Sequence, residues 1–298
     1  MSTTLPPADL EPNLAPDVEP PETLATLRAE LDRLDERLHD TLMRRAEVVE
    51  RIAVVKGGVA LRPGREADII RRLLARHGGA LPPAAIVRIW RELLAGTTAI
   101  QGKFLVTVCD TDPANPYTFA AREHFGALTP MRVHRSPAQA IAEVSSGVAA
   151  AAVLPMPTEG EPASAAWWVG LLNRDNPRIY VVAQLPFWRP RPEGAAAVQA
   201  LVVAAMAPDP SSDDRSLLGL ELSAEVSQAR LITALREAGF APGRIVVRRE
   251  PSAASARALV DVGGHVADGD PRLSALRLVE RAPVVLGAYA VPVGGTPA

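Results

Sequence analysis

Two cations on one long predicted helix have the spacing of a pair that could hold a small dianion. Arg45 and Lys56 are eleven residues apart, and at about 100° per residue this returns to within about 20° of the same helix face. They lie roughly 16 Å apart along the axis, and both side chains are long and flexible. Arg28 lies on another side, about 25 Å from Arg45, so only an antiparallel partner chain could supply its copy to the same ligand.

Further polar residues interrupt the apolar pattern of two shorter predicted helices. Arg65 and Glu66 open the second helix, and Thr97 and Gln101 form an i, i+4 pair on the third. Lys56 is one of only two lysines among 32 basic residues, as a coding bias towards arginine would produce. A lysine that survives such a bias is a candidate for a required ammonium group.

Three helices are predicted to position these groups. Leucines recur from Leu24 to Leu42 at intervals of three or four residues, and the apolar pattern continues to Val55. This predicts one long amphipathic helix with a coiled-coil-like seam. A helix about 50 Å long exceeds what a small domain can cover, so we expect it to need a partner chain. The second helix is expected over residues 64–77 and the third over 82–101.

The hydrophobic period changes at Lys103. Short apolar runs that alternate with helical patterns predict an α/β segment over 103–210, and 211–293 follow the βαββαβ order of the ferredoxin-like unit. Residues 1–21 are acidic and proline-rich, so we expect a disordered tail there. The predicted fold class is therefore multidomain, α then α/β, with a three-helix unit over 22–102.

Composition excludes several function classes. The net charge of −2 argues against a nucleic-acid partner, and the single cysteine excludes an internal disulfide or a multi-cysteine metal site. No apolar run approaches the ~18 residues of a membrane helix, and the acidic start is the reverse of a secretory signal. The five histidines show no metal-ligand spacing. We therefore expect a cytoplasmic protein with no cofactor, no metal and no membrane partner.

The polar set and its spacing resemble the all-helical (type II) chorismate mutases. The motifs that carry the resemblance, in chain order, are Leu27-Arg28-Ala29-Glu30-Leu31-Asp32, Arg44-Arg45, Lys56, Arg62-Pro63-Gly64-Arg65-Glu66 and Thr97-x3-Gln101. The resemblance covers residues 24–101 and implies an entwined homodimer with shared active sites that converts chorismate to prephenate. This unimolecular Claisen rearrangement needs a site that holds the folded conformer and stabilises charge on the breaking ether bond.

The roles of the family's residues carry over onto the matching positions. The resemblance implies that five residues are catalytic: Arg28, Arg45, Lys56, Glu66 and Gln101. The two arginines, one from each chain, would hold the carboxylates. The lysine and the glutamine would donate to the ether oxygen, and the glutamate would accept from the ring hydroxyl. Arg65 and Thr97 would line the pocket as substrate-binding residues, whereas Arg62 departs from the pattern because some members carry an acidic residue there.

Residues 103–210 resemble a shortened and degenerate prephenate dehydratase, in the chain order of the bifunctional P-proteins. Ala120-Ala121-Arg122-Glu123-His124-Phe125-Gly126 is similar to the family's first helix. Pro157 and Thr158, however, stand where the family has Glu and Asn, and Val198-Gln199-Ala200 replaces its Thr-Arg-Phe signature. The resemblance therefore implies a mutase without dehydratase activity, and a bifunctional mutase/dehydratase is one alternative.

The βαββαβ segment resembles an ACT domain. Asp214-Arg215-Ser216-Leu217-Leu218 and Leu286-Gly287-Ala288-Tyr289 carry this resemblance. Two roles stay open for this segment: a scaffold that helps dimerisation, or a site that binds phenylalanine or tyrosine as an effector. A second function for the whole chain stays open: a non-catalytic regulator that binds an aromatic amino acid on a mutase scaffold. The three helices also resemble the isochorismate-pyruvate lyases, so a protein with this fold and a different reaction is a further alternative.

Overall fold

The computed structural model describes residues 22–56, 61–189, 191, 194–195, 197–250 and 253–294. The predicted acidic tail at 1–21 lies outside the described residues, as does the side chain of Lys56. The chain divides into two compact units whose boundary falls inside the first helix, between Val48 and Val49. Among the described residues, no helix combines the length and the apolar character that crossing a membrane requires.

Three helices form the first part of the chain, which confirms the predicted helical region. They are α1 (Leu24–Lys56), α2 (Pro63–Ala75) and α3 (Pro83–Gln101). Both shorter helices begin with a proline, which suits a first turn because its missing N–H would have no partner there and its φ is already helical. The observed bounds of the three helices agree with the sequence prediction to within two residues.

Strands and helices alternate in the next part of the chain, as the sequence predicts. In chain order they are β1 (Val106–Cys109), α4 (Pro116–Phe125), β2 (Met131–His134), α5 (Pro137–Ser145), β3 (Ala151–Pro155), a 3-10 helix (Trp167–Asn173), β4 (Tyr180–Leu185) and β5 (Ala200–Ala204). The sequence prediction lacks β2. This strand has four residues, lies at the sheet edge and buries none of them fully, so no alternating apolar pattern marks it.

The last elements follow the predicted βαββαβ order. They are β6 (Asp214–Ser223), α6 (Gln228–Glu237), β7 (Pro242–Arg249), β8 (Ser255–Gly263), α7 (Pro271–Ala275) and β9 (Val284–Ala290). Their strands lie in the order β9-β6-β8-β7, and each neighbouring pair is antiparallel. This is the ferredoxin-like arrangement. Leu231, Leu235 and Leu273 pack α6 and α7 against one face of these strands.

A parallel pairing joins the two groups of strands into one sheet of nine described strands. β4 pairs with β9 at Val181 and Gly287, which gives the order β2-β1-β3-β5-β4-β9-β6-β8-β7. Gly287 has a φ of 140°, and a Cβ there would overlap the backbone of Val181, so this close approach requires glycine. The predicted segments 103–210 and 211–293 therefore share a sheet.

The second face of the ferredoxin-like strands is internal. Trp168 of the 3-10 helix lies in one apolar cluster with Leu217, Val246, Leu259 and Leu286, whose side chains project from the face opposite α6 and α7. Because successive side chains of a strand alternate between faces, β6 supplies Leu217 to this cluster and Leu218 to the other.

Candidate active site

The first two predicted site residues, Arg28 and Arg45, lie on α1 within the unit that ends at Val48. Arg28 is exposed, whereas Arg45 is half-buried, and this burial lowers the pKa of its guanidinium. Seventeen helical residues separate them by about 25 Å, so one chain cannot present both to one small molecule. Lys56 is the last residue of α1, and its side chain lies outside the described part of the chain.

The apolar seam of α1 is exposed to solvent. Leucines at intervals of three or four residues retain between 45% and 65% of their accessible surface: Leu24, Leu27, Leu31, Leu34 and Leu38. Scattered exposed leucines are ordinary on a protein surface, but a continuous stripe along one helix is typical of an interaction face.

Asp209 fixes the first turn of α2, where Arg65 and Glu66 lie. Its Oδ1 accepts from the backbone N of Gly64 at 3.0 Å, and its Oδ2 accepts from the backbone N of Arg65 at 3.2 Å. The Nε of Arg62 also donates to Oδ2, at 3.2 Å. The first N–H groups of a helix have no intrahelical acceptor, so this carboxylate caps α2 from a distant part of the chain. The side chain of Arg65 is left exposed.

Glu66 pairs with a cation that sequence reasoning missed. Arg91 of α3 donates from Nη1 to Glu66 Oε2 at 3.1 Å. Burial raises the pKa of Glu66, while Arg91 lowers it and Asp209 raises it further. The Arg91 guanidinium also lies over the ring of Phe187, 4.8 Å from its centroid. Glu66 is therefore a largely buried carboxylate held in place by one cation, with Oε2 engaged.

Thr97 and Gln101 are joined at the end of α3, as their i, i+4 spacing predicts. Gln101 Nε2 donates to the carbonyl oxygen of Thr97 at 3.3 Å. The Thr97 hydroxyl donates to the carbonyl oxygens of Leu93 and Leu94, at 2.9 and 3.0 Å. Thr97 is buried and Gln101 half-buried, so the glutamine amide is the more accessible of the two.

Arg71 attaches α2 to the segment that precedes β6. Its Nη1 donates to Ser211 Oγ at 2.9 Å, and its Nη2 donates to the carbonyl oxygens of Asp213 and Val291, each at 2.8 Å. Ser212 completes the contact, because its backbone N donates to Oδ1 of Asp68 on α2 at 3.0 Å. The run of Asp and Ser at 209–214 was a visible capping signal, but the sequence does not indicate which helix it caps.

The structure thus brings the predicted residues together in two pairs within the unit that begins at Val49. Arg65 and Glu66 occupy the first turn of α2, and Thr97 and Gln101 occupy the last turn of α3. Because Gln101 follows Arg91 by ten helical residues, it lies about 15 Å beyond the partner of Glu66 along α3.

Comparison with known proteins matches the helical region to one family. Residues 27–102 match the family model described as chorismate mutase type II. The bifunctional chorismate mutase/prephenate dehydratase of Aquifex aeolicus is 32% identical over 131 residues, which cover 41% of this chain and 34% of that protein. The enzyme of the same name from Pseudomonas aeruginosa is 31% identical over 141 residues, covering 44% and 37%. The chain thus spans about a third of the length of these curated relatives.

Two solved structures align with part of the chain. One, described as GqqA, a novel type of quorum quenching acylase, has a TM-score of 0.48 at 17% identity and covers 64% of this chain and 96% of that chain. The other, prephenate dehydratase from Streptococcus mutans, has a TM-score of 0.46 at 15% identity and covers 63% and 98%. The resemblance of the helical region to the type II chorismate mutases is confirmed by the family match.

Proposed function

We propose that this chain is a chorismate mutase, an isomerase that converts chorismate to prephenate on the route to phenylalanine and tyrosine. The observation that carries the proposal is the family match over 27–102, which contains every residue of the motif set. Five of these residues are proposed as catalytic: Arg28, Arg45, Lys56, Glu66 and Gln101. A regulator that only bound an amino acid would have no use for this combination of charged groups.

The proposed chemistry is positioning and electrostatic stabilisation. Arg45 of one chain and the partner subunit's Arg28 hold the two carboxylates of chorismate, so that the side chain folds over the ring. Lys56 and Gln101 donate to the ether oxygen, which gains negative charge as its bond to the ring breaks. Partial burial of Arg45 strengthens its attraction for a carboxylate, because less water screens the pair.

In this proposal Glu66 accepts a hydrogen bond from the ring hydroxyl, and Arg91 is a positioning residue. The ionised carboxylate is the stronger acceptor, and burial alone would favour the protonated form. Arg91 offsets that effect and holds Oε2. The other oxygen, Oε1, has no donor among the described residues and remains for the substrate.

A homodimer follows from the same proposal. The exposed leucine stripe of α1 is the face that a second copy would cover. Because these leucines are already about half covered, burying the rest of each one stabilises the pair by about 1 kcal/mol. A dimer also solves the separation of Arg28 from Arg45, because each shared site takes one of them from each chain. The C-terminal ferredoxin-like part is proposed to be ACT-like, with phenylalanine or tyrosine as its effector.

The test is the loss of chorismate absorbance after the purified chain is added. We expect enzyme-dependent loss in the wild type and a fall of at least 100-fold in kcat/KM for Arg45→Ala, which removes a carboxylate ligand. Arg37→Ala, an exposed cation on the same helix, is the matched control and should retain full activity. No turnover by a folded wild-type chain would favour the non-catalytic regulator instead.

A further inference from the structure

The first turn of α2 is pressed against the segment 209–213, which precedes β6. A Cβ at Gly64 would overlap the backbone oxygens of Asp209 and Pro210, so this approach leaves no room for a side chain. Alanine is otherwise the better helix former, by up to about 1 kcal/mol. The glycine of the motif Arg62-Pro63-Gly64-Arg65-Glu66 is therefore a contact position in this fold.

Arg71 makes a second contact with the same segment, about two turns further along α2. Its side chain is only 18% exposed. Its Nη1 donates to Ser211 Oγ, and its Nη2 donates to the carbonyl oxygens of Asp213 and Val291. Because the planar guanidinium donates in several fixed directions at once, it sets the rotation of α2 about its axis as well as its position.

The apolar face of α2 is also shared with the later part of the chain. The cluster that buries Ala67 and Ile70 contains residues of α3 and residues from the sheet-forming part of the chain: Val87, Leu94, Phe187 and Ala290. The predicted three-helix unit over 22–102 therefore does not contain all the contacts that hold α2 in place.

Asp209 acts on Glu66 through its charge as well as through the helix. The side chain of Asp209 is 14% exposed, so water screens this charge only in part. Among the described residues, the charged groups that act on the pKa of Glu66 are Arg91 of α3, which lowers it, and Asp209, which raises it. The segment 209–213 thus affects both where Glu66 lies and how readily it takes up a proton.

From these contacts we propose that Gly64, Arg71 and Asp209 are positioning residues of the mutase site, and that the segment 209–213 is a structural part of that site. This inference rests on the proposed function, in which Glu66 accepts from the ring hydroxyl. The segment fixes the start and the rotation of α2, and thereby the placement of Glu66 against the substrate. Isomerisation then depends on a part of the chain beyond the residues 27–102 that match the family model.

The first test is the KM for chorismate in Gly64→Ala and Arg71→Gln, measured on full chains that circular dichroism shows to be folded. Either change displaces α2 from the segment 209–213, and because Glu66 contacts the hydroxyl before and during the reaction, we expect KM to rise roughly tenfold. Loss of folded enzyme would lower kcat alone, so KM separates misplacement from instability. Gly96→Ala on α3 is the matched control and should leave KM unchanged, since no described atom lies within 4 Å of a Cβ there.

The second test is the pH profile of kcat/KM in Asp209→Asn, which keeps the size of the side chain and removes its charge. The ionised form of Glu66 is the stronger acceptor, so kcat/KM should fall at acid pH as Glu66 takes up a proton. Removing a negative charge that raises the pKa of Glu66 should move this fall to lower pH. Asp175→Asn removes an exposed carboxylate outside this contact and should keep the wild-type profile.

The opposite results would overturn the proposal. They are a wild-type KM in the folded Gly64→Ala or Arg71→Gln chain, or an acid fall in Asp209→Asn that stays in place or moves to higher pH. If Gly64→Ala does not fold, the other two variants decide. A wild-type chain that leaves chorismate unchanged would refute the proposed function and this inference with it, whereas wild-type turnover with unaffected variants would refute this inference alone.

Discussion

The ion pair between Glu66 and Arg91 links α2 to α3, and removing either partner should destabilise the protein strongly. The side chain of Arg91 is 5% exposed and that of Glu66 is 17% exposed, so water can solvate an orphaned charge only poorly. Breaking a buried pair on one side costs about 3–5 kcal/mol, since the remaining charge is left without its partner. We expect a loss within this range for Arg91→Met and a smaller loss for Glu66→Gln, which keeps a hydrogen-bonding group.

The double variant Glu66→Gln/Arg91→Met separates the pair from simple packing. Neither side chain then carries an uncompensated charge, so the loss in the free energy of unfolding should be clearly smaller than the sum of the two single losses. Urea unfolding followed by circular dichroism measures all four proteins. Arg281→Met removes one partner of an exposed pair with Glu221 and should cost less than about 1 kcal/mol.

The pH dependence gives an independent check of the same pair. In Arg91→Met the factor that lowers the pKa of Glu66 is gone, so its pKa rises further above the usual range. At pH values below that raised pKa, Glu66 is protonated and neutral, and the cost of the substitution should shrink. Additive losses in the double variant, or a cost that is constant from neutral to acid pH, would refute the assignment of a buried ion pair.

Asp209→Ala removes the cap of α2 and should lower the free energy of unfolding by about 1–2 kcal/mol in urea titrations. Asp213→Ala removes the same charge nearby and should lower it by less. Equal losses in the two variants would contradict the capping role. Mixing Arg28→Ala and Arg45→Ala chains should restore chorismate turnover to about a quarter of the wild-type rate, because half of the dimers then hold one intact site. No recovery after subunit exchange would contradict shared sites. Incubation of the chain with prephenate at neutral pH should yield phenylpyruvate only at the spontaneous rate. The reason is that Pro157 and Val198-Gln199-Ala200 lack the groups that dehydration needs. Enzyme-dependent formation of phenylpyruvate would show that interpretation to be wrong.

Periodicity was enough to predict most of the fold. The spacing of leucines from Leu24 onwards predicts α1, and the apolar runs before Cys109 and Leu185 predict β1 and β4, because each buries one continuous face. The sequence does not predict the β4–β9 pairing, since one close approach at Gly287 leaves no periodic signal.

The candidate site could be predicted only in part, for a similar reason. The pair Thr97 and Gln101 is local, so its i, i+4 spacing predicts the contact that the structure contains. The partners of Glu66 and of the α2 N-terminus, Arg91 and Asp209, lie 25 and more than 140 residues away in the sequence. An arginine among Val87, Trp90 and Leu94 of α3 was nevertheless a signal, because a cation on an apolar helix face requires a partner.

The pairing of β4 with β9 at Gly287 has a consequence for dividing the chain into fragments. A fragment that ends near residue 210 would expose β4 as an open edge strand, and a fragment that begins there would expose β9 in the same way. Open edges of that kind pair with other molecules and promote aggregation. The two halves of this sheet are thus poor modules for recombination with unrelated proteins, although the sequence pattern makes them look separable.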